Sequence, residues 1–149
     1  MSCILCREVL GELGPVAFQD DLVVVFPARL QPARNQGCVL LATRTHVPNL
    51  YDVPDADLGP LLERVRNTAR SVQQAADATG TTIRQNNGPP GQEINHLHFH
   101  IAPRFPGDDY WHAEAAAVSE KERERQAALL RPLLAEDQAP HEPRPARSE

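Results

Sequence analysis

The feature that most constrains the fold is a strict alternation of side chains over residues 94–102. Successive side chains of a β-strand point to opposite faces, so a period of two places every second residue on one face. One face then carries three histidines and the other carries three apolar side chains, namely His96, His98 and His100 against Leu97, Phe99 and Ile101. The segment is therefore predicted to be a strand with its apolar face on a core, and Pro103 is predicted to end it.

Shorter apolar runs predict the rest of a sheet. Residues 16–18 and 22–26 flank a polar turn at 19–21, which is typical of two strands joined by a tight turn. The segment 27–36 is rich in Pro, Arg, Asn and Gln and is predicted to be a loop, after which residues 38–42 form an apolar strand. Residues 81–84 are a further strand candidate, and the Gly- and Pro-rich segment 86–91 is predicted to be a loop.

Two segments have the apolar spacing of a helix. From Leu58 to Ala76 apolar side chains recur every three or four residues, with Asp55 or Asp57 as candidate N-caps and Gly80 as the predicted stop. Pro60 is expected in the first turn of this helix, where proline is tolerated. A second helix is predicted from about Ser119, because Ser119 and Glu122 have the spacing of a capping box, and Pro132 is expected to kink or end it.

The order of these elements predicts the fold class. Strands joined by tight connections, followed by a long helix, two more strands and a C-terminal helix, favour an α+β fold with helices against an antiparallel sheet. We expect about five strands. Residues 1–137 are predicted to form one domain, and the Pro-rich polar segment 138–149 is predicted to be a disordered tail.

Composition excludes several classes of partner. The net charge of −5 provides no basic field for nucleic acid, and no run approaches the roughly 20 apolar residues needed to span a bilayer. Residues 1–7 lack the pattern of a signal peptide, so we expect a cytoplasmic protein. The three cysteines are too few, and odd in number, for a disulfide framework.

Three histidines on one strand face are open to several interpretations. Each could be an ordinary, partly exposed strand residue, or two or three could bind a metal ion, since alternate residues on a strand lie about 6.6–6.8 Å apart. A neutral imidazole is also a competent nucleophile toward phosphorus. Cys3 and Cys6 likewise have the spacing either of a zinc knuckle or of a redox pair.

The motif His96-Leu97-His98-Phe99-His100 resembles the signature of the histidine triad (HIT) nucleotide hydrolases and transferases. Similar flanking residues are found in segments 37–40, 44–52, 87–92 and 103–104. The resemblance implies a HIT-like fold in which His98 attacks the α-phosphorus and forms a nucleotidyl-histidine intermediate, while His100 donates to a phosphate oxygen. It also implies a phosphate contact from the amide of Asn86, which is otherwise a turn residue, with Gln92 close by as a substrate or loop group.

The resemblance also implies a metal and an assembly. A subset of histidine triad proteins, with the related galactose phosphate uridylyltransferases, binds zinc through two cysteines and two histidines at positions that match Cys3, Cys6, His46 and His96. Four protein ligands would make the zinc structural. Cys38 is instead expected to be a small buried residue. Family members are commonly homodimers, so a homodimer is expected, with the helix that starts near Leu58 as a possible interface.

The expected substrate is a nucleotide, such as a dinucleoside polyphosphate or a nucleoside phosphoramidate. The alternatives are a nucleotidyltransferase that uses the same intermediate, a nucleotide-binding module without turnover, and a metalloenzyme with His98 and His100 as ligands. The chain departs from the family in its shorter 88–91 loop, in Cys38, and in the absence of a ribose-binding acid or amide at 28–31. Arg29 and Arg34 could meet additional phosphates.

Overall fold

The computed structural model describes residues 3–137. These residues form three α-helices and seven β-strands, with a short 3₁₀ helix at Leu50–Asp52. In chain order they are α1 (Ile4–Val9), β1 (Phe18–Gln19), β2 (Val23–Pro27), β3 (Leu30–Pro32), β4 (Val39–Thr43), α2 (Asp55–Ala75), β5 (Gly80–Arg84), β6 (His98–Arg104), β7 (Ala115–Ala117) and α3 (Glu120–Asp137).

Five of the strands form one antiparallel sheet in the order β1-β2-β4-β6-β5. The strand β6 is paired on both sides, with His98 opposite Ala42 of β4 and His100 between Leu40 of β4 and Arg84 of β5. The predicted α+β class, with an antiparallel sheet of about five strands, is confirmed. Because β6 is an inner strand, its side chains are held by neighbours on both sides.

The main core lies between one face of this sheet and the helices α2 and α3. Its sheet side chains are those that alternate with the histidines on β6 and their neighbours on β2 and β4: Val23, Val25, Val39, Leu41, Phe99 and Ile101. The helices contribute Leu61, Val65, Val72, Leu130 and Leu134. Burial of each large side chain of this kind stabilises the fold by about 1.5–3 kcal/mol relative to exposure. The apolar half of the alternation thus anchors β6.

The opposite face of the sheet carries the histidines and is covered in part by α1. Leu5 and Val9 of this short helix pack on Val24, Phe26 and Ala42. A third, smaller cluster continues along the same face and is formed by Ala28, Cys38 and Ala102, with Tyr110 against it. The histidine face is therefore bounded by α1 on one side and by the segment around Tyr110 on the other.

The strand that carries the histidines begins and ends later than predicted. It starts at His98, so His96 lies in the irregular segment before it, and Pro103 lies within the strand. Proline is tolerated there because β4 pairs with β6 only as far as Ile101, which leaves Pro103 paired on the β5 side alone, as in an edge strand. Two of the three histidines, His98 and His100, thus share a strand face.

The long helix is confirmed, but its ends differ from the predicted ones. Pro54 is the N-cap and no side chain caps the helix, while Asp55 and Asp57 lie in the first turn, where the helix dipole favours carboxylates. Pro60 consequently lies in the second turn. The chain leaves the helix through Asp77, which adopts a positive φ of 49°, and the stop predicted at Gly80 is wrong because Gly80 opens β5.

The C-terminal helix forms half of the predicted capping box. Ser119 Oγ accepts a hydrogen bond from the backbone N–H of Glu122 at 3.2 Å, whereas the Glu122 carboxylate pairs with Arg125. The helix continues through Pro132 to Asp137, so the proline does not end it.

Two further predictions concern segments outside the main sheet. The predicted loop 27–36 contains β3, which pairs with β7 in a separate two-stranded sheet. The local pattern did not predict this strand, because its partner lies more than 80 residues later in the chain. The predicted tail 138–149 lies outside the described residues. Among residues 3–137, no helix has the length and apolar character needed to cross a membrane.

Candidate active site and metal centre

Two imidazoles stand side by side on β6. His98 and His100 alternate with Phe99 and Ile101, whose burial in the main core turns the histidines to the other face. Their ring centroids are 5.0 Å apart in an edge-on arrangement, and both rings are half-buried. The pair is thus partly shielded from water but open to a ligand.

The hydrogen bond of His98 selects one tautomer of its ring. His98 Nδ1 lies 2.7 Å from the backbone carbonyl oxygen of His96, a group that can only accept. Nδ1 of the neutral ring must therefore carry the proton, which leaves the lone pair on Nε2. An imidazole held this way presents a nucleophilic nitrogen, since the other ring nitrogen is occupied.

His100 is neutral at physiological pH. Burial lowers the pKa of His100 to about 4, with smaller contributions from His98 and from the nearby positive charge of Arg84. A neutral imidazole has one N–H donor and one acceptor nitrogen. His100 can therefore donate one hydrogen bond to an anionic ligand without carrying a charge of its own.

Four side chains from three separate segments converge just before β6. Ligand atoms of Cys3, Cys6, His46 and His96 all lie within 4.8 Å of one another. His96 Nδ1 lies 3.6 Å from Cys3 Sγ and 3.5 Å from Cys6 Sγ, and His46 Nδ1 lies 3.3 Å from Cys6 Sγ. Zinc–sulfur bonds of about 2.3 Å and zinc–nitrogen bonds of about 2.0–2.1 Å separate such atoms by about 3.5 Å at a tetrahedral angle. The cluster has the donors and spacing of a four-ligand zinc site.

The second nitrogen of His96 supports the same assignment. His96 is fully buried, and its Nε2 lies 2.7 Å from the carbonyl oxygen of Thr43. Nε2 therefore donates to this carbonyl, and the lone pair of Nδ1 faces the two sulfur atoms. Burial also lowers the pKa of His96, which favours the neutral form that binds metal ions. The backbone of the same residue orients His98, so the cluster and the candidate nucleophile are directly connected.

Asn86 and Gln92 lie in the loop between β5 and β6 and are hydrogen-bonded in different ways. Asn86 is half-buried and donates one N–H to the carbonyl oxygen of Gly91 at 2.8 Å, which leaves its second N–H for another acceptor. Gln92 is buried, and both ends of its amide bond to the backbone, at Gly88, Pro48 and Ile94. Within residues 3–137 Asn86 thus keeps one amide N–H without a partner, whereas Gln92 braces the loop.

The side chains of the two arginines considered as phosphate contacts form hydrogen bonds with other parts of the chain. Arg29 donates to the buried carboxylate of Glu8 at 2.9 Å and to the carbonyl oxygen of Leu13, which ties α1 to the end of β2. Arg34 donates to the carbonyl oxygen of Gly107 at 2.7 Å. Cys38 is buried as expected, and burial raises the pKa of its thiol to about 12, so it is not a reactive thiolate.

A cavity beside His100 was not foreseen from the sequence. Its volume is about 340 Å³, and Arg84, Tyr110 and Trp111 line it together with His100. Arg84 reaches this site because β5 pairs antiparallel with β6 and places it directly opposite His100. The one signal in the sequence was the single tryptophan, Trp111, shortly after the histidine motif.

Comparison with known proteins agrees with this architecture. A HIT-like protein of Methanocaldococcus jannaschii, named as uncharacterized, is 35% identical over 108 residues that cover 71% of this chain and 81% of that protein. The adenosine 5'-monophosphoramidase hnt1 of Schizosaccharomyces pombe is 27% identical over 111 residues, which is 74% of this chain and 79% of that protein. The crystal structure of a Zn-bound histidine triad family protein from Mycobacterium smegmatis has a TM-score of 0.73 at 26% identity and covers 91% of this chain and 95% of that one.

The HIT domain family itself matches residues 14–107, a region that includes β1 to β6 and all three histidines of the motif. Because the match spans more than half of the sequence and carries the whole five-stranded sheet, the chain belongs to the HIT domain family.

Proposed function

We propose that this protein is a nucleotide phosphoester or phosphoanhydride hydrolase that acts through a nucleotidyl-His98 intermediate. Dinucleoside polyphosphates and nucleoside phosphoramidates are the substrate classes that we infer. The observation that carries the proposal is the hydrogen bond from His98 Nδ1 to the His96 carbonyl, because it leaves Nε2 as a free, oriented nucleophile. A protein that only bound nucleotides would not require such a nitrogen.

The proposed reaction has two steps. The lone pair of His98 Nε2 forms a bond to the α-phosphorus, and the bond from phosphorus to the leaving oxygen or nitrogen breaks with its electron pair on the leaving group. Water then attacks the same phosphorus, displaces Nε2 and yields the nucleoside monophosphate. One hydrogen of the water remains on the phosphate product, and the other is released as the proton that the leaving group takes up. Transfer to another acceptor would replace water in the second step only.

Neighbouring groups are suited to stabilising the charge on phosphate. His100 has one N–H as a neutral ring, and Asn86 retains one free amide N–H. Donors of this kind stabilise negative charge more strongly where water is partly excluded, as it is at these half-buried side chains. We infer that His100 and Asn86 contact phosphate oxygens and that Gln92 acts by holding the loop that carries Asn86.

We further propose that Cys3, Cys6, His46 and His96 hold one structural zinc ion. The ion would have four protein ligands and no open position, so its role is to stabilise rather than to react. Burial and the neighbouring Cys3 raise the pKa of the Cys6 thiol, and a divalent cation at this place would favour the thiolate forms of both cysteines. The zinc would also hold the His96 carbonyl, and therefore the ring of His98, in place.

A homodimer remains part of the proposal. The strand β5 lies at one edge of the main sheet, and Ile83 on this strand and Leu62 on α2 are exposed apolar side chains. An edge strand with exposed apolar groups is suited to pairing with another chain. Sedimentation of the purified protein at several concentrations tests the expected mass of two chains.

The decisive experiment is covalent labelling with a nucleotide that carries label on its α-phosphate. Wild-type protein is expected to acquire an acid-sensitive, base-stable label, as a phosphorus–nitrogen bond to histidine would be, and to turn over adenylyl and guanylyl compounds. His98→Ala should show neither labelling nor turnover. His100→Ala should retain some labelling with weaker binding, because it removes a donor and not the nucleophile.

A matched control is provided by His112, an exposed histidine that pairs with Asp109 on the surface. His112→Ala should label and turn over like wild type. If the label persists in His98→Ala, the nucleophile is another residue and the proposal fails. If wild type turns over substrate without any trapped label, the covalent route is refuted while a hydrolase remains.

A further inference from the structure

The cavity beside His100 has a composition that the hydrolytic step alone does not explain. Much of its lining is apolar and includes Leu30, Pro32, Trp111 and Ala115. Leu30 and Trp111 are both well exposed, at 61% and 62% of their surface, although both line the cavity. Exposed apolar groups that line a concave site are typical of ligand contacts.

The lining of the cavity also includes a basic residue, Arg84. Arg84 is exposed and lies across from His100 in the sheet, and within residues 3–137 no carboxylate pairs with its guanidinium. None of the described residues that line the cavity is acidic. The protein as a whole carries a net charge of −5, so an uncompensated arginine at this point is a local exception. A guanidinium of this kind is suited to bidentate contact with phosphate.

The segment that carries Tyr110 and Trp111 is held by an ion pair and by cation–π contacts. Asp108 is buried and accepts from both Arg104 Nε and Arg104 Nη2, at 2.6 and 2.9 Å, and from Asn35 Nδ2 at 2.8 Å. The guanidinium carbon of Arg104 in turn lies 4.7 Å from the ring centroid of Tyr110 and 5.7 Å from that of Trp111. The ion pair and the cation–π contacts therefore fix the segment that carries both rings.

We propose that this cavity is a substrate subsite in which Trp111 stacks on a planar ring and Arg84 binds a phosphate group other than the one transferred to His98. The chemistry it selects is a flat aromatic group joined to phosphate. Such a group is present in the nucleotidyl portion of a substrate and also in the leaving group of a dinucleoside polyphosphate. The proposal rests on the proposed function only in taking the ligand to be a nucleotide.

Two consequences follow for specificity. Compounds with several phosphates should be favoured over those with one, because Arg84 adds a contact that a single phosphate already bound at His98 and His100 would not use. Compounds with an aromatic ring in the cavity should be favoured over those with an aliphatic group, because stacking on an indole is worth roughly 1–3 kcal/mol per base. Arg84 and Trp111 are thus specificity-determining residues rather than groups that carry the reaction.

The single tryptophan makes the subsite directly observable. Trp111 is the one tryptophan of the sequence, so its emission reports on the cavity without interference from other indoles. The experiment titrates the full-length His98→Ala protein, which should not turn over, with AMP, diadenosine tetraphosphate and inorganic phosphate. Binding is measured in parallel by calorimetry. Saturable quenching by diadenosine tetraphosphate, without quenching by inorganic phosphate, is expected.

Variants separate the two contacts. Arg84→Ala should raise the Kd for diadenosine tetraphosphate roughly tenfold, in keeping with loss of one charged hydrogen-bonded contact, and Arg84→Lys should recover part of the affinity. Trp111→Ala should raise the same Kd roughly tenfold, and Trp111→Phe, which retains a ring, should raise it less. Arg44→Ala, at an exposed arginine outside the cavity, and Leu129→Ala, at an exposed apolar residue on α3 outside the cavity, should bind like the parent protein.

Each outcome decides the proposal. Quenching by AMP identifies the ring as that of the nucleotidyl portion, and quenching by diadenosine tetraphosphate alone identifies it as that of the leaving group; both support the subsite. Calorimetric binding of diadenosine tetraphosphate without any change in emission, or with unchanged affinity in both alanine variants, overturns it. Absence of binding by either nucleotide also overturns it. Covalent labelling of the wild type is scored separately, so the hydrolase can stand when the subsite fails.

Discussion

Replacement of Gln92 by alanine tests how the loop between β5 and β6 is built. The Gln92 Oε1 accepts from the backbone N–H of Gly88 at 2.7 Å, and its Nε2 donates to the carbonyl oxygens of Pro48 and Ile94 at 2.5 and 3.0 Å. The side chain is 8% exposed. Gln92→Ala therefore removes three hydrogen bonds at once. It leaves the Gly88 N–H and the Pro48 carbonyl without this partner, while the Ile94 carbonyl still accepts from the backbone N–H of His96.

The size of the effect follows from this count. Each such hydrogen bond contributes a net of about 0.5–1.5 kcal/mol, and a buried donor left unsatisfied costs about 1–3 kcal/mol. Partial access of water to the Gly88 N–H reduces the upper end of this range. We expect Gln92→Ala to lower the free energy of unfolding by about 3 kcal/mol, which corresponds to a fall in Tm of roughly 6–12 °C for a chain of this size.

The assay is denaturant and thermal unfolding of the protein without nucleotide. Gln36→Ala is the matched control, because Gln36 is exposed and its amide makes one hydrogen bond, to the carbonyl oxygen of Pro32. It should change the Tm by less than a quarter of the Gln92→Ala effect. If Gln92→Ala instead leaves unfolding unchanged and raises only the KM for substrate, Gln92 is a direct substrate contact and the bracing role is refuted.

Three further predictions concern the metal centre, the pH dependence of stability and the C-terminal segment. Protein purified without chelator should contain close to one zinc per chain. Cys3→Ser should lower both the metal content and the Tm, since bound structural zinc contributes to folding. Wild-type protein without zinc would contradict the metal site. The pKa of His100 falls from 6.5 to about 4 on folding, so between these values the unfolded chain binds more protons and stability is lost as the pH falls. The loss in free energy of unfolding amounts to at most about 3 kcal/mol. Denaturant unfolding at pH 7 and pH 4.5 should show a smaller loss in His100→Gln than in wild type. An equal loss in both proteins would show that other groups are responsible. Removal of residues 138–149, which contain few apolar side chains, should leave turnover and Tm nearly unchanged, and a clear loss of activity in the truncated chain would assign that segment a part in the site.

Much of the architecture could be predicted because it follows from the local periodicity of apolar side chains. The apolar side chains that alternate with the histidines, and those that recur every three or four residues after Leu58, form the core between the sheet and the helices. Period two and period 3.6 are properties of the strand and the helix themselves, so a short window of sequence is enough to detect them. The same holds for the spacing of His98 and His100, which lie on one strand face.

The predictions that failed depended on partners distant in the chain. Pro103 remains within β6 because β4 has already ended beside it, and β3 exists because β7 returns to pair with it. His96 leaves the strand pattern because its ring turns into the cluster with Cys3 and Cys6, which precede it by 93 and 90 residues. No window of sequence around these residues contains the group that decides their conformation.

The sequence by itself determined the fold class, the family resemblance and the candidate reactive groups, because residue type and short-range spacing carry that information. The tertiary structure decided which of these groups are free to act. It oriented the ring of His98 through a carbonyl, committed the amide of Gln92 to the backbone and tied Arg29 to Glu8. It also placed Arg84 opposite His100 beside the ring of Trp111. Hydrogen bonds, burial and electrostatic fields act through space, so their effect on a side chain depends on neighbours that only the folded chain brings together.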